Sequence, residues 1–219
     1  MLDNVELRDG IWWPKGEIAC YKWTSKELDI PDWVSKHTDK RDVIIQAGGN
    51  AGWYAKLYSE IFDRVYVFEP DYINFICLNL NVPFSHVTKI QACLGNKREL
   101  VKVTSKETDR GKNHVFTEAD LIKDKRKTPN YTPPNIPTLM IDDLGLDACS
   151  VIHLDVEGYE LFALQGAIDT IKKFKPLIAL ENRDHWLRYG VTTDSINNFL
   201  TNLGYRVIDQ YREEIIYSV

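Results

Sequence analysis

The 219-residue sequence contains no apolar run near the roughly 20 residues that a membrane-spanning helix needs. The start of the chain carries Asp3 and Glu6 and no apolar core, so a secretory leader is not expected. Together these absences predict a protein that stays in the cytoplasm, with no membrane partner. Four cysteines, Cys20, Cys77, Cys93 and Cys149, lie far apart with no Cys-x-x-Cys pair. That spacing predicts reduced thiols rather than a disulfide framework or a zinc site. A basic excess is missing too: 27 Lys and Arg face 32 Asp and Glu, for a formal net charge of -5. Duplex nucleic acid is therefore not the expected partner, although a local basic patch remains compatible with the total. There is no internal repeat and no Gly-x-Gly-x-x-Gly, the turn that dinucleotide binders use. What is present is ordinary for a soluble globular domain, with 44% hydrophobic and 27% charged residues.

From residue 42 onward, short apolar runs alternate with helix-like stretches. Residues 42–48 are β-branched and continuously apolar and end in glycine, the pattern of a strand buried on both faces. The spacing then predicts a helix over 53–62, a strand over 64–70, a helix over 71–80 and a strand over 87–94, with another short strand at 100–104. Further on come a strand over 151–156, one helix over 159–174, a strand over 177–180 and a helix over 193–203 capped by Gly204. The tail reads as two strands, 205–210 and 214–219, joined by so tight a turn that they must be antiparallel. Alternation of this kind predicts an α/β three-layer sandwich, a mostly parallel sheet covered by helices on both faces. Two segments fall outside it. Residues 1–41, rich in tryptophan, are expected to form an N-terminal cover segment over a domain spanning 42–219. Residues 105–137 form a long insertion loop with four prolines and the basic run Lys123, Lys125, Arg126 and Lys127. Two readings of the loop stand, a flap near an acceptor site and a solvated insertion.

Gly48-Gly49-Asn50-Ala51-Gly52 closes the first predicted strand and opens a helix. Glycines let a ligand approach the backbone without a Cβ clash, and free N–H groups at the helix start are expected to favour a carboxylate or phosphate. Glu69 ends the next strand, where a carboxylate can accept hydrogen bonds from both ribose hydroxyls of an adenosyl group.

The stretch from Gln46 to Tyr54, the block Val67-Phe68-Glu69-Pro70-Asp71, and Pro137-Thr138-Leu139-Met140-Ile141-Asp142-Asp143-Leu144 resemble the FkbM-type S-adenosylmethionine-dependent methyltransferases. So does Ile152-His153-Leu154-Asp155-Val156-Glu157-Gly158-Tyr159-Glu160-Leu161, the most specific of the blocks. The resemblance implies a class I methyltransferase (Rossmann-like) fold, a seven-stranded sheet with one antiparallel strand, and S-adenosyl-L-methionine as cofactor. It implies O-methylation of a sugar, glycan or other small hydroxyl-bearing acceptor; the alternative is a cofactor-binding module without turnover. Expected cofactor contacts are Gln46, Ala47, Gly48, Gly49, Asn50 and Gly52 from the turn, then Glu69, Pro70, Ala92, Cys93 and Asp155. Two positions depart from the family pattern. Gln46 stands where aspartate usually begins the first motif, so it would hydrogen-bond the cofactor's ammonium rather than attract it as a charge. His153 stands where lysine is common.

Asp155, Glu157 and Glu181 are the expected catalytic carboxylates, at the carboxyl ends of two neighbouring strands. In one mechanism Asp155 or Glu157 acts as base, with His153 or His185 as substitutes. In the other, Asp155, Glu181 and Asn182 hold a divalent cation through oxygens, an arrangement similar to that of catechol-type methyltransferases. The second is possible but not favoured, so no residue is assigned to a metal. Glu160 reads as a first-turn charge complementing the helix dipole. Asn130-Tyr131-Thr132-Pro133-Pro134 is superficially similar to the Asn-Pro-Pro-aromatic motif of amino-methylating nucleic acid enzymes, but falls in the long loop rather than after the fourth strand.

Overall fold

The computed structural model describes residues 2–104, 109–117 and 135–219. The basic run and the Asn-Tyr-Thr-Pro-Pro segment lie outside these residues. The chain opens with a hairpin of β1 (Val5–Arg8) and β2 (Ile11–Pro14), turned by Asp9 and Gly10 at φ 48° and 81°. Positive φ at both turn residues matches the strands' right-handed twist. Short helices follow at Ala19–Thr24 and Ile30–Ser35. The alternating part then runs β3 (Val43–Ala47), helix Trp53–Ser59, β4 (Arg64–Phe68), helix Tyr72–Asn81 and β5 (Val87–Ile90). Three short strands, β6 (Cys93–Leu94), β7 (Glu99–Lys102) and β8 (Asn135–Leu139), come next. After them come β9 (Val151–Leu154), helices Glu160–Gln165 and Ile168–Phe174, and β10 (Leu177–Glu181). Helix Thr193–Asn202 leads to β11 (Arg206–Tyr211) and β12 (Glu214–Ser218).

The main sheet has the order β11-β12-β10-β9-β3-β4-β5, and β12 alone runs against the others. This is the class I methyltransferase arrangement. β3 is buried at every residue and pairs in parallel with β4 and β9, placing Gln46 between Val67 and His153. From β3 the chain winds outward through β4 and β5, and later returns to the other side through β9 and β10. The carboxyl ends of β3 and β9 thus flank the topological switch point, where a ligand crevice opens in open α/β sheets. One face of the sheet carries the core around Ile45, Ile152, Leu164 and Ile178, the other the core around Ile44, Tyr58, Val65 and Ala179.

Two elements differ from the expected ones. The apolar run 87–94 is two strands, because the Ala92 N–H turns back to the Ile90 carbonyl at 3.1 Å. The chain bends there, and Cys93–Leu94 joins the small sheet β6-β8-β7. That sheet also receives the strand expected at 100–104. The helix expected over 159–174 breaks at Gly166, whose missing Cβ would overlap the Gly95 carbonyl oxygen. The Gly166 carbonyl accepts the Asp142 N–H at 3.0 Å, and the Asp142 carboxylate caps the second helix at Asp169 N (3.1 Å) and Thr170 N (2.8 Å).

The hairpin packs on helix Tyr72–Asn81. Trp13 is fully buried, and Asn81 bonds both the Trp12 backbone and the Ala51 carbonyl of the glycine turn. Trp33 and His37 reach Asp209 of β11 instead. All four cysteines are free and buried. Among the described residues, no helix is long and apolar enough to cross a membrane.

Candidate active site

The glycine turn is shaped by what surrounds it. Gly48 has φ +83°, and a Cβ on it would overlap the carbonyl oxygen of Asp155, so the exits of β3 and β9 touch backbone to backbone. Gly52, at φ +93°, lets the turn pack on Leu78 and Val82. The N–H groups of the turn itself are not free for a ligand. Those of Gly48 and Gly49 donate to the Phe68 carbonyl at 3.1 and 2.9 Å, and that of Gly52 to Gly49 at 2.8 Å. The Asn50 N–H donates to Glu69 Oε2 at 2.6 Å and the Ala51 N–H to Asn50 Oδ1 at 2.7 Å. A turn that has spent its donors on its neighbours offers nothing to a pyrophosphate. With carboxylates beside it, it suits a ligand carrying positive charge.

A cleft of about 640 Å³ opens beside this turn. Of the expected cofactor residues, Ala47, Gly48, Asn50, Glu69, Pro70, Ala92, Cys93 and Asp155 line it. Gly49 lines a smaller neighbouring cleft with Trp13, Trp53 and Tyr54. Gln46 lines neither; its Nε2 donates to the Gly48 carbonyl at 2.9 Å, so its amide holds the turn from within. Glu69 is buried and accepts from Asn50 and, through Oε1, from the Asp71 N–H at 2.7 Å. Burial, and next the neighbouring Asp71 carboxylate, push its carboxyl up to about 8.

Sequence reasoning missed the far wall of this cleft. Arg110, Asn113, His114 and Val115, from the described part of the long loop, close it opposite the turn. Asp71 holds that segment: its Oδ2 accepts from Arg110 Nη1 at 2.9 Å and Asn113 Nδ2 at 3.0 Å. Its Oδ1 meanwhile caps helix Tyr72–Asn81. No periodicity marks residues that act across a gap of about forty positions.

The expected catalytic carboxylates Asp155, Glu157 and Glu181 face a second, polar cleft of about 930 Å³ with Glu27, Asp109, Lys112, Arg183 and Glu213. The two clefts share Asn50, Gly111, Asp155 and Glu157. β9 ends at Leu154, so the alternation that would put His153, Asp155 and Glu157 on one face stops short. His153 lies in the core, its Nδ1 bonded to Tyr58 Oη at 2.7 Å. Glu157 sits at φ +56° in the turn beyond. Glu160 holds that turn: it is buried and its Oε1 accepts the N–H groups of Val156 (3.1 Å) and Gly158 (3.2 Å). Burial pushes the Glu160 carboxyl up to about 7. Asp155 is held well above the usual carboxylate range by burial and then by the negative field of Glu181, Glu214, Glu157 and Glu160. His185 Nδ1 lies 2.9 Å from Glu157 Oε2 and 3.6 Å from Glu181 Oε2, and these carboxylates raise its imidazolium to about 9. Arg183 pairs with Glu181 at 3.2 Å and with Glu213.

A doubly flanked parallel sheet, a cleft at its switch point and an acid at the end of the second central strand define a class I methyltransferase fold. Residues 46–207 match the methyltransferase FkbM domain model, and the chain belongs to that family. Its fold is similar to that of methyltransferase FkbM from Methylobacillus flagellatus KT, with a TM-score of 0.55 and 18% identity, over 94% of this chain and 56% of that one. The chain therefore spans a little over half the length of that protein. It also aligns with N-methyltransferase NodS from Bradyrhizobium japonicum WM9, at 11% identity and a TM-score of 0.48, over 92% of this chain and 97% of that one. No curated protein sequence matches.

Proposed function

We propose that the protein transfers a methyl group from S-adenosylmethionine to a hydroxyl of a small acceptor of the sugar or glycan type. The observation that carries this reading is the shared wall at Asp155, which belongs at once to the cofactor cleft and to the polar cleft beside it. A cofactor in the first cleft and an acceptor in the second would meet there. Glu69 would hold the ribose hydroxyls, and the donor-poor turn with Asp155 beside it suits a cationic sulfonium better than a dinucleotide.

The bound cofactor supplies an electrophilic methyl carbon. An acceptor oxygen forms the new O–C bond as the S–C bond breaks, and the hydroxyl proton must leave. Much of the rate comes from holding the two partners in line and excluding water. Asp155 is the residue placed to take the proton, because a carboxyl with a raised pKa is the stronger base once ionised. The positive charge of the cofactor favours that ionised form. His185, already protonated at neutral pH, holds Glu157 and Glu181 in place rather than acting as base. Carboxylates along the second cleft accept hydrogen bonds from hydroxyls, and Trp23, 58% exposed at its edge, offers a ring face. This lining and the net charge of -5 favour a neutral or cationic acceptor over duplex nucleic acid.

The test pairs calorimetry against S-adenosylmethionine and S-adenosylhomocysteine with mass detection of methylated product across a sugar panel. Binding, product formation, and loss of product in Asp155→Asn even at saturating cofactor are expected. No binding at millimolar cofactor would sink the reading, and full turnover in Asp155→Asn would remove that residue from the chemistry.

A further inference from the structure

We propose that Glu157, Glu181 and His185 form a divalent-cation site at the mouth of the polar cleft. One ligand atom from each of Glu157, Glu181 and His185 lies within 4.8 Å of the other two. Two edges of this triangle, 2.9 Å from Nδ1 to Glu157 Oε2 and 3.6 Å from Nδ1 to Glu181 Oε2, have the right size. With metal–ligand bonds of about 2.1 Å, neighbouring donors stand about 3.0 Å apart in an octahedron and about 3.4 Å apart in a tetrahedron.

The orientation of the donors is a second, independent observation. Glu157 is only 6% exposed, yet its Oε2 is buried without a hydrogen-bond partner, and so is Nδ1 of His185. The two atoms are at ion-pair distance but out of line for an N–H···O bond. Ligands of a common ion behave this way, because each points at the ion and not at its neighbour. Two carboxylates balance a divalent charge once the ion takes the place of the His185 proton, and a mixed N and O set suits Mn²⁺, Fe²⁺ or Zn²⁺. The nearby guanidinium groups leave these atoms available. Arg183 Nε sits on the other oxygen of Glu181 at 3.2 Å, and Arg188 comes no closer than 3.9 Å to Glu157 Oε2.

This set differs from Asp155, Glu181 and Asn182, the trio expected from the sequence. Among the described residues the cluster keeps Glu181 but draws its other two donors from the Glu157 turn and from His185. Three protein ligands leave coordination positions open toward the cleft, where an acceptor hydroxyl could bind and be polarised. That use rests on the methyl-transfer reading, whereas occupancy of the site does not.

The experiment is titration of chelator-stripped protein with Mn²⁺, without cofactor, read by the electron paramagnetic resonance of free Mn²⁺ and by calorimetry. One site per chain is expected, with affinity reduced at least ~10-fold in Glu157→Gln and in His185→Gln and unchanged in Asp155→Asn. Absence of Mn²⁺ binding by the unaltered protein overturns the proposal, and so does equal binding by Glu157→Gln and His185→Gln. Loss of binding in Asp155→Asn to the same extent as in Glu157→Gln would move the ion to the other trio and also overturn it. If a variant fails to fold, the thermal midpoint of the unaltered protein decides, since it must rise with Mn²⁺ concentration. S-adenosylmethionine affinity measured on the same samples keeps the two readings apart: cofactor binding without Mn²⁺ binding defeats this proposal alone.

Discussion

The carboxyl group of Glu69 meets the backbone N–H of Asn50 at 2.6 Å, joining the end of β4 to the turn that follows β3. Because its other oxygen takes the Asp71 N–H, one side chain fixes both rims of the cleft in which the cofactor is proposed to bind. Each carboxylate oxygen keeps a lone pair for a ribose hydroxyl. Glu69→Ala should therefore weaken S-adenosylmethionine binding by about 1–3 kcal/mol, measured by calorimetry. Unchanged affinity would show that the ribose is held elsewhere.

The same carboxyl predicts an unusual pH dependence. Glu69 is raised from 4.5 to about 8 in the folded protein, surrounded by the Asp71 carboxylate, the N–H groups of Asp71 and Asn50, and Asn74. The Cys93 thiol feels its charge, and Arg110 reaches it only through Asp71. Between those two values the native state binds the proton more tightly than the unfolded chain. Its contribution to stability is complete below pH 4.5 and is lost as pH rises toward about 8. Cofactor affinity should run the opposite way, tightening across the same interval as the carboxylate ionises. Denaturant midpoints and calorimetry from pH 5 to about pH 9 check both slopes. Glu69→Gln should flatten both, and slopes unchanged in that variant would assign them to another group.

Much of this was legible in the sequence because a buried parallel strand announces itself. Residues 42–48, 64–70 and 151–156 are apolar runs ended by Gly, Pro or acid, and each became a central strand. The antiparallel end was legible from the short polar turn at Tyr211, Arg212 and Glu213. The breaks were not. Nothing in Val87 to Leu94 marks the bend at Ala92, and Gly166 interrupts a helix because of Gly95, a residue 71 positions away. Ligand-facing chemistry was legible only where it sits at a strand end. Glu69 and Asp155 do, whereas Arg110 and Asn113 reach the cleft from a loop and are held there by Asp71, about forty positions away. Nor does the local sequence show that the Gly48, Gly49 and Asn50 N–H groups are taken by Phe68 and Glu69, which come from the end of the next strand.

The Asp71–Arg110 pair should behave as a latch on the loop wall. Both side chains are largely buried, so each is costly to leave alone. Arg110→Ala leaves the helix cap intact and should speed cofactor dissociation in stopped-flow displacement. Asp71→Ala should do the same and also remove the cap of helix Tyr72–Asn81, lowering stability by roughly 1 kcal/mol beyond the Arg110→Ala variant. Equal stability of the two variants would mean that the cap contributes nothing; unchanged dissociation in both would mean that the loop wall does not gate the cleft.

Gly48 separates the two reasons for a glycine. At Gly204 φ is +87° and a Cβ would meet nothing, so Gly204→Ala should cost only the left-handed strain of an L residue, about 1–2 kcal/mol. At Gly48 φ is nearly the same, +83°, but the added methyl would overlap the Asp155 carbonyl. No rotamer relieves that overlap, because both groups are backbone, so β3 and β9 must part at their carboxyl ends. Gly48→Ala should therefore lower stability clearly more than Gly204→Ala in denaturant titrations. It should also weaken cofactor binding, because the parted strands carry Ala47, Gly48 and Asp155 of the cleft wall. A Gly48→Ala variant no less stable than Gly204→Ala would mean that the strand ends can yield without cost.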